Sequence, residues 1–267
     1  MTPPQVTVQD GWLTHPQGEL FTRCWQPALG GTTRAPFVLF HDSLGCVELW
    51  RDFPAALCAA TGRAVIAYDR LGFGRSAAVT APLPLTFIAD EARTIMPLLQ
   101  AHYGLKHFMA FGHSVGGGMA VECAAQWPEH CVGLVTEAAQ AFVEDRTVQG
   151  IEAARVQFQA EAQVGRLAKY HGAKARWVVD AWTETWLSHG FADWSLARVV
   201  PQVACPWLIV HGALDEYGSR RHPELLQAGA GGPKRLAWLP GVGHVPHREV
   251  AAQVLAEVLD WSAGLAP

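Results

Sequence analysis

The chain has 267 residues, half of them hydrophobic, and a formal net charge of −4. That length suits one domain, or one domain carrying an insertion, with enough apolar residues for a large core. The mild acidity gives no electrostatic footprint for nucleic acid or for an anionic membrane surface.

No apolar run approaches the ~20 residues that span a bilayer. The start, MTPPQVTVQDG, lacks the basic region and apolar run of a secretory signal. The six cysteines (Cys24, Cys46, Cys58, Cys123, Cys131 and Cys205) form no C-x-x-C pair. They read as buried, reduced thiols rather than as a disulfide framework or a zinc site. Twelve histidines include no H-x-H or H-E-x-x-H spacing. The expectation is a cytoplasmic protein with no metal and no cofactor; self-association into a homo-oligomer is left open.

Taken in order, Gly18–Gln26 reads as an early strand after a turn at His15-Pro16, and 29–33 as a Gly/Thr loop. Pro36–Phe40 is wholly apolar, as a strand buried on both faces should be, and runs into His41-Asp42-Ser43-Leu44-Gly45. A helix is predicted over Leu49–Ala60, with Trp50, Phe53 and Leu57 at helical spacing. Arg63–Tyr68 is another buried strand, followed by Asp69-Arg70-Leu71-Gly72-Phe73-Gly74-Arg75-Ser76. Asp69 and Arg70 read as a structural ion pair or a loop anchor. The G-F-G of that loop lacks the third glycine of a dinucleotide fingerprint. Leu85–Tyr103 is predicted as one long helix, stopped at Gly104.

Next comes Lys106–Gly118, KHFMAFGHSVGGG: an apolar strand, a turn with Ser114 at its tip, and a helix that ends before Pro128. This is the form of a nucleophile elbow. Gly112 and Gly116 supply the small neighbours that such a turn needs, and Gly117 and Gly118 let the helix pack closely. The helix N-terminus turns its free N–H groups toward Ser114, where negative charge would develop. The plainer reading is a helix N-cap serine.

Cys131–Thr136 is a further strand, after which the alternation of strand and helix stops. Ala139–Val203 reads as helical, with no strand signal; Val148–Val164 and Ala173–Leu187 are its clearest helices. Pro206–Val210 resumes the strands and leads into His211-Gly212-Ala213-Leu214-Asp215. A helix around Glu224–Ala228, a strand at Arg235–Leu239, the turn Pro240–His244 and a helix over Val250–Trp261 complete the chain. The expected fold is therefore α/β, a mostly parallel central sheet flanked by helices. The polar candidates all follow strand ends, where ligands bind in such sheets.

The chain resembles the α/β-hydrolase superfamily over nearly its whole length. The resemblance is carried by HDSLG, DRLGFGRS, GHSVGG, HGALDEYG and GVGH, in that order, each at a strand end. It implies Ser114 as nucleophile, His244 as base and then acid, and Asp215 as the residue orienting His244, in the family's chain order. It implies an oxyanion hole from the N–H groups of Val115 and Ser43, with Leu44 the alternative to Ser43. Here the chain departs from the pattern, since Asp42 stands where the family's loop has glycine. His247 is the rival to His244, disfavoured because the G-x-G before His244 gives the sharper turn. Glu216 is the rival to Asp215. His41 and His211 read as loop ties, and His113 as packing or steering beside the nucleophile.

The resemblance also implies a helical cap, residues 139–203, inserted after the sixth strand of a core formed by 1–138 and 204–267. The insertion carries Trp177, Trp182, Trp186, Trp194, Phe142, Phe158 and Phe191. Most of these pack the cap's own core, and an apolar roof implies a small apolar acyl or aromatic substrate. The implied activity is hydrolysis of a small carboxylic ester, lactone or thioester. The alternatives are a carbon–carbon bond hydrolase of aromatic-compound degradation and a non-catalytic ligand receptor on the same fold.

Overall fold

The computed structural model describes residues 6–28 and 34–265. The Gly/Thr loop expected at 29–33 lies outside them. Eight strands form one sheet in the order β1-β2-β4-β3-β5-β6-β7-β8. They are β1 (Val6–His15), β2 (Gly18–Pro27), β3 (Phe37–Phe40), β4 (Val65–Tyr68), β5 (Phe108–His113), β6 (Cys131–Glu137), β7 (Trp207–Gly212) and β8 (Lys234–Leu239). β2 pairs antiparallel with β1 and β4; every other pairing is parallel. The short central strands β3 and β4 are buried at every position, which their continuous apolar sequence required.

Helices α1 (Phe53–Thr61) and α10 (Ala251–Ser262) cover one face, where Trp50, Phe53, Leu57, Val254 and Val258 pack on Phe37, Leu39 and Phe111. α2 (Phe87–Asp90), α3 (Met96–Tyr103) and α4 (Val115–Gln126) cover the other, with Ile88, Met96 and Met119 on Val38, Phe40 and Ala110. Between β6 and β7 lie α5 (Asp145–Gln157), α6 (Glu161–His171) and α7 (Ala175–Trp186). α8 (Arg221–Gly229) and α9 (Pro246–Glu249) follow β7 and β8.

Several expectations need correction. β1 has no counterpart in the sequence reading. It is an edge strand, mostly exposed, so no buried alternation marks it. The helix expected over Leu49–Ala60 is a 3₁₀ turn (Val47–Trp50) and then α1, separated at Arg51, whose φ is 55°. The long helix over Leu85–Tyr103 contains a π-turn at Glu91–Ile95 between α2 and α3. Pro97 has no N–H for a partner one turn back, and the wider turn sits just before it. The helix expected over Val148–Val164 is two, α5 and α6, broken where Ala160 turns extended (ψ 120°). The stretch read as free of strand holds one antiparallel bridge, Phe142 to Ser195, which ties its two ends together.

Strand order reverses at the centre. From β3 the chain moves outward to β4, then crosses back to β5 on the other side of β3. The loops leaving the carboxyl ends of β3 and β5 therefore diverge and leave a crevice between them. Phe40 and Gly112 are register partners at those ends. Asp42–Leu44 and Ser114 consequently face one crevice.

Candidate active site

Ser114 follows β5 with φ 57° and ψ −125°, a conformation that a side chain strains. Its neighbours explain why it persists. A Cβ on Gly112 would lie 2.0 Å from the Gly116 carbonyl oxygen, and one on Gly116 would lie 2.0 Å from that of Phe40. Only glycine fits both places. The Ser114 N–H is anchored on the Glu137 carbonyl at 2.9 Å. Gly117 touches Ala139 closely enough that a Cβ would meet it at 2.4 Å, so α4 lies tight against the end of β6.

His244 comes from the turn after β8 and Asp215 from the loop after β7. His244 Nε2 lies 3.0 Å from Ser114 Oγ, and His244 Nδ1 lies 2.9 Å from Asp215 Oδ1. The same Asp215 oxygen accepts the N–H groups of Tyr217 (2.8 Å) and Gly218 (3.0 Å). Burial pushes the Asp215 carboxyl up, but His244 and these donors outweigh it and hold its pKa below the ordinary value. Burial likewise disfavours a charged His244; Asp215 overcomes this, with smaller help from Glu216 and Asp42, and the imidazole pKa is raised. An ionised carboxylate on Nδ1 fixes the tautomer, leaving Nε2 free to accept a proton.

Backbone bonds hold this arrangement. Glu249 accepts from Gly243 N (2.8 Å) and Val245 N (3.0 Å), on either side of His244. His113 Nε2 donates to the His244 carbonyl at 2.8 Å. The loop bearing Asp215 is held by the start of the inserted segment: Arg146 donates to the Asp215 carbonyl (3.0 Å) and Thr147 to that of Tyr217 (2.6 Å). Glu144 accepts from the Ser219 N–H and hydroxyl at 2.7 and 2.8 Å and from His222 at 3.0 Å.

On the other side of Ser114, the Val115 N–H opens helix α4 and donates to no described group. The N–H groups of Ser43 and Leu44 are equally unengaged among the described residues. Asp42 does not adopt a positive φ, so the non-glycine residue costs the loop no strain. Its carbonyl is held by Gly45 N (3.2 Å), His41 Nδ1 (2.8 Å) and Arg70 Nη2 (2.9 Å). His41 also accepts from Arg70 N at 3.1 Å, which makes it a loop tie. Asp69 anchors its own loop through the N–H groups of Val47 (2.6 Å) and Arg75 (2.7 Å). Arg70 pairs with the Asp42 carbonyl and the Phe73 ring instead, so of the two readings of Asp69-Arg70 the anchor holds.

The rivals lie elsewhere. His247 Nδ1 bonds Glu137 Oε2 at 2.6 Å, beneath Trp50 and Phe53. Glu216 is exposed and makes no bond to His244. His211 lies 3.5 Å from the second Asp215 oxygen and stacks on Trp238. Among the described residues, His113, Glu137 and His247 form the one trio whose ligand-type atoms lie within 4.8 Å of one another. Two ligands of a tetrahedral zinc stand about 3.3 Å apart, given metal–ligand bonds of about 2.0–2.1 Å. The 2.6 Å Glu137–His247 contact is a hydrogen bond, not a ligand pair.

Gln140 was not singled out by the sequence. It is buried, and its Oε1 lies 3.2 Å from Ser114 Oγ. It follows β6 in the stretch Ala138-Ala139-Gln140, where neither spacing nor composition signals a site. Ser114, Gln140 and His244 open on a cavity of about 250 Å³, walled by Ser43, Leu44, Ile151, Trp182, Trp186 and Tyr217. Of the seven tryptophans and phenylalanines of the insertion, Trp182 and Trp186 reach this cavity. Phe142 stacks on His222 and Phe191 on Trp194.

Residues 35–175 match a family model described as alpha/beta hydrolase fold. The chain is 30% identical over 208 residues to the serine hydrolase BPHL of Mus musculus, covering 74% of this chain and 68% of that protein. It is 30% identical over 119 residues to the (lyso)-N-acylphosphatidylethanolamine lipase of Bos taurus, 45% of this chain but 34% of the lipase. The chain thus spans about a third of that relative. The enol-lactonase of Burkholderia xenovorans LB400 superposes with a TM-score of 0.71 at 19% identity, over 95% of this chain and 100% of that structure, and shares its fold. No helix among the described residues is long and apolar enough to cross a membrane.

Proposed function

The chain belongs to the α/β-hydrolase fold family, and from that premise we propose that it is a serine hydrolase cleaving a small carboxylic ester, lactone or thioester. The observation that carries this reading is the unbroken chain from Ser114 Oγ through His244 to Asp215, 3.0 and 2.9 Å long, at the wall of a cavity. In the proposed reaction His244 Nε2 takes the Ser114 proton as Oγ attacks the carbonyl carbon. Asp215 stabilises the imidazolium. Charge developing on the carbonyl oxygen meets the N–H groups of Val115 and Ser43, preorganised by the helix and by the thrice-held Asp42 carbonyl. His244 then protonates the leaving group, and water repeats the sequence on the acyl-enzyme. The relatives' names (serine hydrolase, lipase) support acyl transfer at such a site.

In this reading residues 139–203 act as a cap over a core of 1–138 and 204–267. Ile151, Trp182 and Trp186 give the cavity an apolar roof, suited to a small apolar acyl or aromatic group. Six free, buried cysteines fit a cytoplasmic setting. Labelling by a fluorophosphonate, followed by turnover of p-nitrophenyl esters of graded acyl length, tests the proposal. Ser114→Ala should lose the label and at least about 10⁴-fold in kcat. A label that survives the substitution overturns the assignment.

A further inference from the structure

Three cavities adjoin one another through shared wall residues, and α7 borders each of them. The cavity at Ser114 is bounded on one side by Ser43, Trp182 and Trp186. The same three side chains bound a void of about 10 Å³, which continues between Phe73, Leu83, Phe87 and Ala181. Phe73, Leu83 and Phe87 then wall a further cavity of about 320 Å³ that reaches Val79, Trp177 and, on the π-turn, Ile95. Trp177 walls the far cavity, Ala181 the void, and Trp182 and Trp186 both the void and the cavity at Ser114, so side chains of α7 border all three spaces.

We propose that the far cavity is a distal subsite for the acyl chain of the substrate, entered through the void. The ligand class is an apolar acyl chain longer than the cavity at Ser114 holds alone. The inference rests on Ser114 as the nucleophile and enlarges the acyl group of that reading from a small one to a longer chain. Direction comes from the chemistry. The leaving group must sit by His244, which protonates it, and His244 walls the cavity at Ser114 but not the void. The void opens beside Ser43, on the oxyanion side, where the acyl half remains after the leaving group departs. Arg70 is the charged side chain at the void, and Asp90 and Glu91 also line the far cavity, where they accept from the Thr86 and Tyr68 hydroxyls at 2.6 Å each. The Arg70 guanidinium lies 4.0 Å over the Phe73 ring and bonds the Asp42 carbonyl at 2.9 Å, so a passing chain meets a charge that already has partners.

At about 10 Å³ the void holds roughly one water at most, so the route is closed until a side chain moves. Leu83 is placed to do this. It is partly buried and stands between Pro82 and Pro84 in the irregular segment before α2.

A series of p-nitrophenyl alkylphosphonates, from methyl to dodecyl, tests the route without requiring ester turnover. The measurement is the second-order rate of Ser114 modification, followed by mass spectrometry. For the native enzyme the rate should rise by up to about fourfold per buried methylene and stay high for the octyl and dodecyl reagents. Ala181→Leu fills the void and should lower the dodecyl-to-butyl rate ratio at least tenfold. Val79→Trp narrows the far cavity from a half-exposed loop, where folding is not at stake, and should lower the ratio for the dodecyl reagent more than for the octyl. A native profile that peaks at butyl and falls overturns the proposal. So do equal losses at all lengths in both variants. Modification that persists in Ser114→Ala removes the nucleophile assignment and the subsite with it, and is told apart by the modified residue.

Discussion

The molecule holds two buried histidine–carboxylate pairs whose histidines are three residues apart: His244 on Asp215 and His247 on Glu137. Both bonds run from Nδ1, at 2.9 and 2.6 Å, and both carboxyls are held below their ordinary pKa against the push of burial. What differs is the far side of each ring. The second nitrogen of His244 meets Ser114 and a 250 Å³ cavity; His247 is enclosed by Trp50, Phe53 and His113. Pairing with a buried carboxylate therefore does not by itself give a histidine the position of the proposed base. Contact with Ser114 and the cavity does, and the pair without it packs beneath the sheet's aromatic cover. His113 joins the two, packing against His247 while donating to the His244 carbonyl. Burial chiefly, with the neighbouring His247 next, pushes its pKa down to about 4, so it stays neutral between them.

The largest expected effect separates the histidines. His244→Ala should lower kcat by about 10⁴-fold or more, with the fold intact by circular dichroism. His247→Ala should leave kcat of the folded enzyme within tenfold and instead cost stability. Removing one partner of a buried pair costs about 3–5 kcal/mol, or roughly 10 °C in Tm for a domain of this size. Equal losses of kcat would erase the distinction between the pairs.

The carboxylates should follow the same division. Asp215→Asn should cost about 10⁴-fold in kcat, because an amide no longer selects the tautomer with Nε2 free. Glu137→Gln should appear in thermal unfolding and change kcat by less than tenfold. The pH profile sharpens this further. As the proposed base His244 must be neutral, and its pKa is raised, so kcat/KM should fall as pH drops through a value above 6.5. Asp215→Asn should move that limb downward, and Glu137→Gln should leave it in place.

The smallest expected effect concerns Gln140. Ser114 has one hydroxyl proton and two neighbours, His244 Nε2 at 3.0 Å and Gln140 Oε1 at 3.2 Å. When His244 is protonated, Nε2–H donates to Oγ and the hydroxyl turns to Gln140. Gln140 should thus favour the protonated state of His244. Gln140→Met should lower the acidic limb of kcat/KM by about half a pH unit. An upward shift would mean that the amide N–H₂ faces Ser114 and favours the neutral imidazole.

Much of this was legible in the residues alone. The short apolar runs Phe37–Phe40, Val65–Tyr68 and Phe108–Phe111, each bounded by turn residues, read as central strands because no polar face is available to water. Gly112-His113-Ser114-Val115-Gly116 shows its turn because a Cβ at either glycine would lie 2.0 Å from a carbonyl oxygen, so only glycine fits there. The chemistry-bearing residues at the strand ends follow from the same logic, and the structure brings Ser114, Asp215 and His244 together. β1 was not legible, because an exposed edge strand carries no buried pattern. The π-turn and the break between α5 and α6 are local adjustments within an otherwise helical pattern.

The sequence by itself determined the strand–helix alternation and the positions at which polar side chains leave the sheet, since both depend on short-range periodicity and on glycine. Only the tertiary structure decided which histidine–carboxylate pair meets Ser114. It also decided that Gln140 reaches Ser114, that Glu144, Arg146 and Thr147 hold the Asp215 loop, and that two of the insertion's seven tryptophans and phenylalanines line the cavity. Those outcomes depend on contacts between residues tens of positions apart. A side chain's chemistry there is set by what the folded chain places against it, and no spacing along the sequence encodes that.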